Sequence, residues 1–337
     1  MLCLKMVSDS CFLNLPIDSH CGPRMPTKTI RTESVVVIMK ILSLGSLNID
    51  LVYSVSHINL EGETLSARER ETKQGGKGLN QSVALARAGA EVYAAGAVGP
   101  DGLFLKALLE QSGADTRYLQ VMEGEVTGHA IIQLVPTGQN STIISAGANG
   151  ALTETYIDDT LSHFGPGDLL LLQNETSNVP YAMKKARELG LKVAFNASPI
   201  TAQIFEYPLE LVDYFIINEI EGQAIAGCEE TGHKAILAAL AARFPKAVIV
   251  LTLGKDGVLY HSGEEEASHG VYASTVVDTT AAGDTFCGYF LASVARGLPA
   301  AEALRMASLA SALAIGVKGA ANSIPGWAEV EQYGAGR

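Results

Sequence analysis

Short apolar runs alternate with segments of helical periodicity from residue 39 onwards, and this alternation limits the possible folds more than any other feature. The predicted strands are 41–44, 92–95, 168–172, 192–195, 214–217, 247–251 and 271–277, and the predicted helices are 78–90, 103–112, 181–189 and 233–244. Such alternation is typical of a mostly parallel sheet with helices on both faces. We therefore expect a three-layer α/β/α domain over residues 39–330.

Two segments depart from this alternation and predict a second, smaller structure. Residues 48–73 and 127–146 alternate apolar and polar side chains between turns, which is typical of strands that lie outside a parallel sheet. We expect them to form antiparallel strands of a small β lid over one end of the domain. A lid of this kind excludes water from reacting groups.

Composition and charge exclude several classes of function. Acidic residues outnumber basic ones by 36 to 24, the net charge is −12, and no block of Lys or Arg occurs, so we expect neither nucleic acid nor a membrane as a partner. No apolar run approaches the roughly 20 residues of a membrane span. The five cysteines form no C-x-x-C pair, which argues against a zinc site or a disulfide framework and favours a reducing cytoplasm.

The first 38 residues differ from the rest of the chain. They contain three prolines without a sustained hydrophobic period, and acidic residues interrupt their apolar stretches, so they do not resemble a signal peptide. We interpret residues 1–38 as an N-terminal extension, either a poorly ordered tail or an upstream misreading of the start codon.

The segment from Asp278 to Phe286 carries the strongest chemical signal. Two carboxylates, Asp278 and Asp284, flank a run of small residues that precedes an apolar helical stretch. Backbone N–H groups at a helix start are unpaired and partly positive, so this turn can bind an anion. Asp284 would then lie beside the anion, where it could accept a proton from an attacking hydroxyl. From these residues alone, a helix-capping role for Asp284 remains equally open.

Polar residues follow one predicted strand after another. Ligands bind beyond the carboxyl ends of strands in open α/β sheets, so we expect one site to collect these side chains. They are Asn48 and Asp50; Gln173, Asn174 and Glu175; Asn196; Asn218, Glu219 and Glu221; and Thr252, Gly254 and Lys255. The glycine-rich turn 75–78 adds backbone N–H groups, the cation of Lys77 and the amide of Asn80. It matches neither a Walker loop nor a dinucleotide fingerprint, and a purely structural turn remains the alternative.

These motifs, in this order, resemble those of the ribokinase-like (PfkB) carbohydrate kinases. The resemblance rests on Gly45-Ser46 with Asn48 and Asp50, the 75–80 turn, Ala146–Asn149, Asn218 with Glu219 and Glu221, Thr252–Gly254 and the 278–284 motif, and it runs from about residue 39 to 325. It implies a sugar kinase that uses ATP, Mg²⁺ and an activating K⁺. The expected reaction is phosphorylation of the primary hydroxyl of a sugar, with D-ribose as the acceptor.

The resemblance also implies roles for individual positions. The catalytic base would be Asp284, with Ala282 and Gly283 in the anion hole. The sugar would be held by Asn48, Asp50, Gly76, Lys77, Asn80 and Glu175. The nucleotide would be contacted by Asn218, Glu221, Thr252, Gly254, Lys255, Gly257, Gly283 and Ser308, with Glu221 also helping to place Mg²⁺. The monovalent cation would be held by Asp278, Thr280, Ala314, Val317, Gly319 and Ser323. The lid would form a homodimer contact.

Two departures from the family pattern leave alternatives open. This chain has Asn196-Ala197-Ser198-Pro199 where an Asn-Pro-Ala-Pro-like stretch is usual, and Ser308 where a larger polar ring or amide often contacts adenine. The acceptor could instead be a nucleoside, with Tyr53 and Ile58 as part of a wall for the base, or a deoxyribose or hexose derivative. A non-catalytic sugar-binding regulator is the second alternative. For Asp278, the alternative to a cation site is a simple ion pair with Lys318.

Overall fold

The computed structural model describes residues 39–229, 232–263 and 265–337. The interpretation of residues 1–38 as an extension therefore lies outside the described residues. The strands are β1 Lys40–Leu44, β2 Asn48–Ser54, β3 Glu69–Gly75, β4 Glu91–Val98, β5 Asp115–Val121, β6 Gly128–Leu134, β7 Asn140–Ser145, β8 Leu169–Gln173, β9 Lys192–Asn196, β10 Tyr214–Asn218, β11 Val248–Thr252, β12 Val258–Ser262 and β13 Glu265–His269. The helices are α1 Lys77–Arg87, α2 Leu103–Gln111, α3 Glu154–Leu161, α4 Val179–Glu188, α5 Glu219–Ala226, α6 His233–Arg243, α7 Ala282–Ala295, α8 Ala300–Ala314 and α9 Trp327–Gly334.

Nine of these strands form one large sheet in the order β13-β12-β11-β10-β9-β8-β1-β4-β5. All neighbours are parallel except β11 with β12 and β12 with β13. The chain leaves β1 towards β4 on one side and returns to β8 on the other, which creates a crevice at the carboxyl ends of β1 and β8. Open α/β sheets bind ligands at such a point.

Successive residues of the parallel strands enter opposite hydrophobic cores. Ile41 of β1 belongs to the same core as Leu79 and Phe290, on the face covered by α1, α7 and α8. Leu42 belongs to the other core, together with Met183 and Phe215. Because strand side chains alternate, a strand buried on both faces has no polar alternation. The sequence-based α/β/α prediction is confirmed.

The lid is a separate four-stranded sheet in the order β3-β2-β6-β7. The prediction of antiparallel strands was wrong for its central pair, since β2 and β6 run parallel while β2–β3 and β6–β7 are antiparallel. Local alternation reports burial on one face but carries no information on the direction of the partner strand. Among the described residues, no helix is long and apolar enough to cross a membrane.

The predicted strand at 271–277 was also wrong. This segment is irregular, and Val276 and Val277 are 62% and 56% exposed. Its β-branched residues favour an extended chain. In the described structure, however, the segment has no neighbouring strand. Val271 and Val276 line a cavity, and Val277 donates its N–H to the Ile315 carbonyl at 2.8 Å.

Candidate active site

The anion turn predicted from the 278–284 motif begins helix α7. Ala281 precedes the helix with a φ of 60°, a left-handed conformation that is uncommon for residues with a Cβ. Ala282, Gly283 and Asp284 form the first helical turn, whose N–H groups have no intrahelical acceptor in a regular helix. The N–H of Ala282 makes a long contact of 3.3 Å with the Thr279 carbonyl, and the Ser311 hydroxyl holds the Ala282 carbonyl at 2.9 Å. The turn is therefore fixed by contacts from both sides.

Asp284 is not a cap in this structure, because its carboxylate is held by side chains of another helix. It is only 8% exposed, and it accepts hydrogen bonds from Asn80 Nδ2 and Gln81 Nε2, both at 2.9 Å. Both donors belong to α1, which packs closely on α7. A Cβ at Gly288, one turn after Asp284, would lie 2.4 Å from the Ala84 Cβ. The close approach of the two helices is what brings the α1 amides to the carboxylate.

Asn80 retains a free acceptor beside the carboxylate. Its Oδ1 atom is buried and has no hydrogen-bond donor among the described residues. A buried amide oxygen without a donor is costly. It is therefore suited to receive a hydroxyl from a bound ligand.

The other predicted sugar residues gather where α1 begins. Glu175, after β8, accepts hydrogen bonds from the Ser46 hydroxyl and, at 3.2 Å, from the Lys77 N–H. Gly76 has a φ of 95°, and a Cβ there would lie 2.7 Å from the Ser46 carbonyl oxygen. Only glycine tolerates this combination of backbone conformation and contact.

Asn48 and Asp50 project from the first strand of the lid. Asn48 is held by Asn149, which donates to its Oδ1 at 2.8 Å and also bonds both backbone groups of Leu47. Asn149 was quoted in a motif but given no role, and its position 101 residues away from Asn48 left no local signal. Tyr53 lies on the opposite lid face from Asn48 and Asp50, because side chains alternate along β2. It is therefore poorly placed to form the wall for a nucleoside base.

The charges of this cluster influence one another. Burial, together with the like charge of Glu175, raises the pKa of Asp50 to about 6, although Lys73 opposes the shift. Burial disfavours the charged form of Lys77, but the carboxylates of Asp284 and Glu175 outweigh it and raise its pKa above the usual range. The ammonium group of Lys77 is therefore stabilised by the negative charges of both carboxylates.

A cavity of about 620 Å³ lies on the other side of the anion turn. Seven of the eight predicted nucleotide residues line it, namely Asn218, Thr252, Gly254, Lys255, Gly257, Gly283 and Ser308. Glu221 is not among its lining residues; its carboxylate accepts from Asn218 Nδ2 at 2.8 Å and from the Asn218 N–H at 3.1 Å. Tyr272 and Ser311 also line the cavity and were not predicted. Tyr272 was missed because the irregular 271–277 segment was interpreted as a strand, and Ser311 lies on α8 outside the motifs.

The predicted cation residues are only partly brought together. Asp278 accepts hydrogen bonds from the Thr280 N–H and hydroxyl and, at 3.0 Å, from the Gly319 N–H, and these bonds overcome partial burial and lower its pKa. The Ala314 carbonyl accepts from the Val317 N–H, and the Ser323 hydroxyl donates to the Ala320 carbonyl. The suggested pair with Lys318 was wrong, because Lys318 bonds Glu71 of the lid at 3.0 Å.

No group of three or more His, Cys, Asp or Glu side chains in the described ranges has the arrangement of a metal site. Asp278 likewise has no Lys or Arg head group at ion-pair distance within those ranges. A partly buried carboxylate beside backbone carbonyls suits a hard, weakly charged cation.

Comparison with known proteins gives a consistent result. The family described as pfkB family carbohydrate kinase matches residues 39–327. Ribokinase of Haemophilus influenzae is 36% identical over 290 residues, which cover 84% of this chain and 94% of that protein. The structure of ribokinase from Cryptococcus neoformans var. grubii serotype A in complex with ADP has a TM-score of 0.77 at 32% identity, over 87% of this chain and 99% of the other. The structure of Arabidopsis thaliana ribokinase complexed with ribose and ATP has a TM-score of 0.76 at 29% identity, over 88% of this chain and 98% of the other.

Proposed function

The chain belongs to the pfkB family of carbohydrate kinases, and we propose that it transfers the γ-phosphoryl group of ATP to O5 of D-ribose. One observation carries the proposal. Gly283 lines the 620 Å³ cavity, and the next residue, Asp284, is hydrogen-bonded to Asn80 in the polar cluster. A single helical turn therefore separates a site of nucleotide size from a site rich in sugar-binding groups.

The proposed chemistry follows from this adjacency. The sugar hydroxyl would lie between Asp284 and the γ-phosphorus, and its proton would pass to the Asp284 carboxylate as the oxygen attacks. The new O5–P bond forms while the bond from the γ-phosphorus to the bridging oxygen of ADP breaks. The N–H groups of Ala282 and Gly283, at the positive end of the α7 dipole, would stabilise charge on the transferred group.

The polar cluster supports a small, hydroxyl-rich acceptor. Asp50 and Glu175 accept hydrogen bonds, Lys77 donates them, and the free Oδ1 of Asn80 accepts one more. Matching several hydroxyls in this way is typical of sites that discriminate strongly against ligands lacking one of them. Ribose and ATP are the ligands of the Arabidopsis thaliana relative.

Two cations complete the proposal. Mg²⁺ prefers oxygen ligands and would accompany the phosphates of ATP. Glu221 would act on that complex by holding Asn218 in place. A K⁺ ion would be held near Asp278 and Thr280, together with oxygens of Ala314, Val317, Gly319 and Ser323, and would order the anion turn.

We also propose that the lid joins two copies of the chain. Ile143 and Ile144 are 63% and 58% exposed on β7, which is an edge strand of the lid. Exposed apolar residues on an unpaired edge favour association with another surface. The same lid carries Asp50, so a dimer contact through the lid would involve the sheet that contributes to the sugar site.

The direct test is ATP turnover against a panel of acceptors. D-ribose should have the highest kcat/KM, above 2-deoxyribose, D-fructose and adenosine. Asp284→Asn should retain the fold and lower kcat by roughly 10²- to 10⁴-fold, because the base is lost. Asp159→Asn, on the exposed face of α3, is the matched control and should behave as wild type. A higher kcat/KM for adenosine would contradict the acceptor, and normal kcat in Asp284→Asn would contradict the mechanism.

A further inference from the structure

A chain of buried amides leads from the core of the large sheet to Asp284. Gln81 and Gln173 are both completely buried. Gln81 Nε2 donates to Asp284 Oδ1 at 2.9 Å and makes a longer contact of 3.4 Å with Asn196 Oδ1. Gln173 Nε2 donates to Gln81 Oε1 at 2.8 Å. Gln81 and Gln173 had no assigned role in the sequence motifs, although Gln81 directly follows Asn80.

The hydrogen-bonding groups of Asn196 and Asp284 determine how the buried amides of Gln81 and Gln173 are oriented. Asn196 Nδ2 donates to the Ile216 carbonyl at 2.7 Å, so Asn196 must turn its oxygen towards Gln81. The Asp284 carboxylate also only accepts hydrogen bonds. Gln81 must therefore present its NH₂ group to both neighbours, which leaves its oxygen to accept from Gln173. In the opposite orientation, the oxygen of Gln81 would face two acceptors.

The absence of a side chain at Gly45 leaves room for the buried amide of Gln173. A Cβ at Gly45 would lie 1.9 Å from Gln173 Oε1, which itself has no donor among the described residues. The side chain of Gln173 thus leaves its own oxygen unpaired while its NH₂ group holds Gln81. A buried oxygen without a donor costs free energy, so this arrangement favours a role for the Gln81 orientation beyond packing.

We propose that Gln81, oriented by Gln173, is a positioning residue that holds the plane of the Asp284 carboxylate for proton transfer. Asn80 holds Oδ2 and Gln81 holds Oδ1, so the carboxylate cannot rotate freely about its Cβ–Cγ bond. With both oxygens anchored, the remaining lone pairs point in fixed directions. The proposal rests on the kinase function proposed above, because it concerns the base of that reaction.

The test compares Gln81→Met and Gln81→Glu with the control Gln111→Met, at an exposed glutamine that ends α2. Met keeps the length of the side chain without a donor, and Glu replaces the donor by a like charge. We expect Gln81→Met to lower the single-turnover rate by about 10- to 100-fold, the range for a hydrogen bond to a charged group. Gln81→Glu should be slower still at pH 8. The affinity for the sugar, measured by calorimetry, should change much less than the rate.

A double-variant cycle separates positioning from a general structural effect. With Asp284→Asn there is no carboxylate to position, so adding Gln81→Met should cause little further loss of rate. An equal loss in both backgrounds, or a change in sugar affinity with a normal rate, would overturn the proposal. Gln173→Met, which frees Gln81 to turn, should cause an intermediate loss, and a wild-type rate would contradict the orienting role. All rates are measured with the best acceptor of the panel, so a preference for another sugar contradicts the ribose assignment without affecting this comparison.

Discussion

Replacing Gly288 by alanine should disturb both the stability of the protein and its candidate base. The new Cβ would lie 2.4 Å from the Ala84 Cβ, 2.9 Å from the Leu85 nitrogen and 3.0 Å from the Gln81 carbonyl oxygen. Carbon atoms pack best at about 3.5–4.0 Å, so α1 and α7 must separate by about 1 Å. Two of the three contacts are with backbone atoms, which a change of side-chain rotamer cannot relieve.

The expected losses of stability and of catalytic rate follow from this displacement. Overpacking a core of this kind typically costs about 1–3 kcal/mol of unfolding free energy, although alanine regains up to about 1 kcal/mol through its helix propensity. The net loss should therefore be at most about 3 kcal/mol, and the melting temperature should fall by a few degrees, at about 2 °C per kcal/mol for a domain of this size. The amides of Asn80 and Gln81 would also move away from Asp284, to which they now lie at 2.9 Å. A misplacement of about 1 Å can cost about 10²-fold in rate.

Differential scanning calorimetry and steady-state kinetics measure the two effects. Gly165→Ala is the matched control, because a Cβ there meets nothing within 4 Å. Combining Gly288→Ala with Ala84→Gly removes the closest contact but not the two backbone contacts, so it should restore the melting temperature only in part. A Gly288→Ala variant that melts like the wild type and keeps its kcat would refute the close packing of α1 on α7 as the cause of the site geometry.

The remaining predictions concern the lid and the cation. Because the pKa of Asp50 is about 6 in the folded protein and 3.8 as the reference value, the folded state binds its proton first as the pH falls. The carboxylate therefore destabilises the fold increasingly as the pH rises from about 4 to about 6, and fully above that. Asp50→Asn should raise the unfolding free energy at pH 8 by at most about 3 kcal/mol, and this advantage should disappear by about pH 4. The variant should also lose ribose binding, and denaturation at both pH values together with calorimetry measures the two effects. Replacing Na⁺ by K⁺ at equal ionic strength should raise kcat, and Asp278→Ala should abolish the response; equal rates in both salts would remove the cation site. Ile143→Lys should convert a dimer to a monomer in sedimentation velocity, and a monomeric wild type would contradict the lid interface.

The layered fold was predictable from local patterns because burial on both sheet faces leaves a direct mark on composition. Runs such as residues 169–172 and 214–217 are continuously apolar, and each is a buried parallel strand. The turn that begins α7 was predictable for a similar reason. Small residues before a helix, followed by Asp284 in its first turn, specify local geometry without reference to the rest of the chain.

The same local patterns gave wrong answers where a partner was decisive. Residues 271–277 have strand-forming side chains but no neighbouring strand, and the pairing of β2 with β6 is parallel although their alternation resembles that of a hairpin. Whether a segment forms a strand, and in which direction it runs, depends on which sheet edge lies beside it in the folded chain. That information is not contained in a seven-residue window.

The candidate base shows most clearly which features the sequence determined and which only the tertiary structure decided. The sequence alone identified Asp284 and Asn80 through their motifs, with the roles supplied by family resemblance. Only the tertiary structure decided that Gln81 holds Asp284 and that Asn149 holds Asn48, since the partners are 203 and 101 positions apart in the sequence. Motifs record the residues that a backbone turn requires, whereas the orientation of a buried amide depends on donors and acceptors that only the packing of distant helices and strands brings within hydrogen-bond distance.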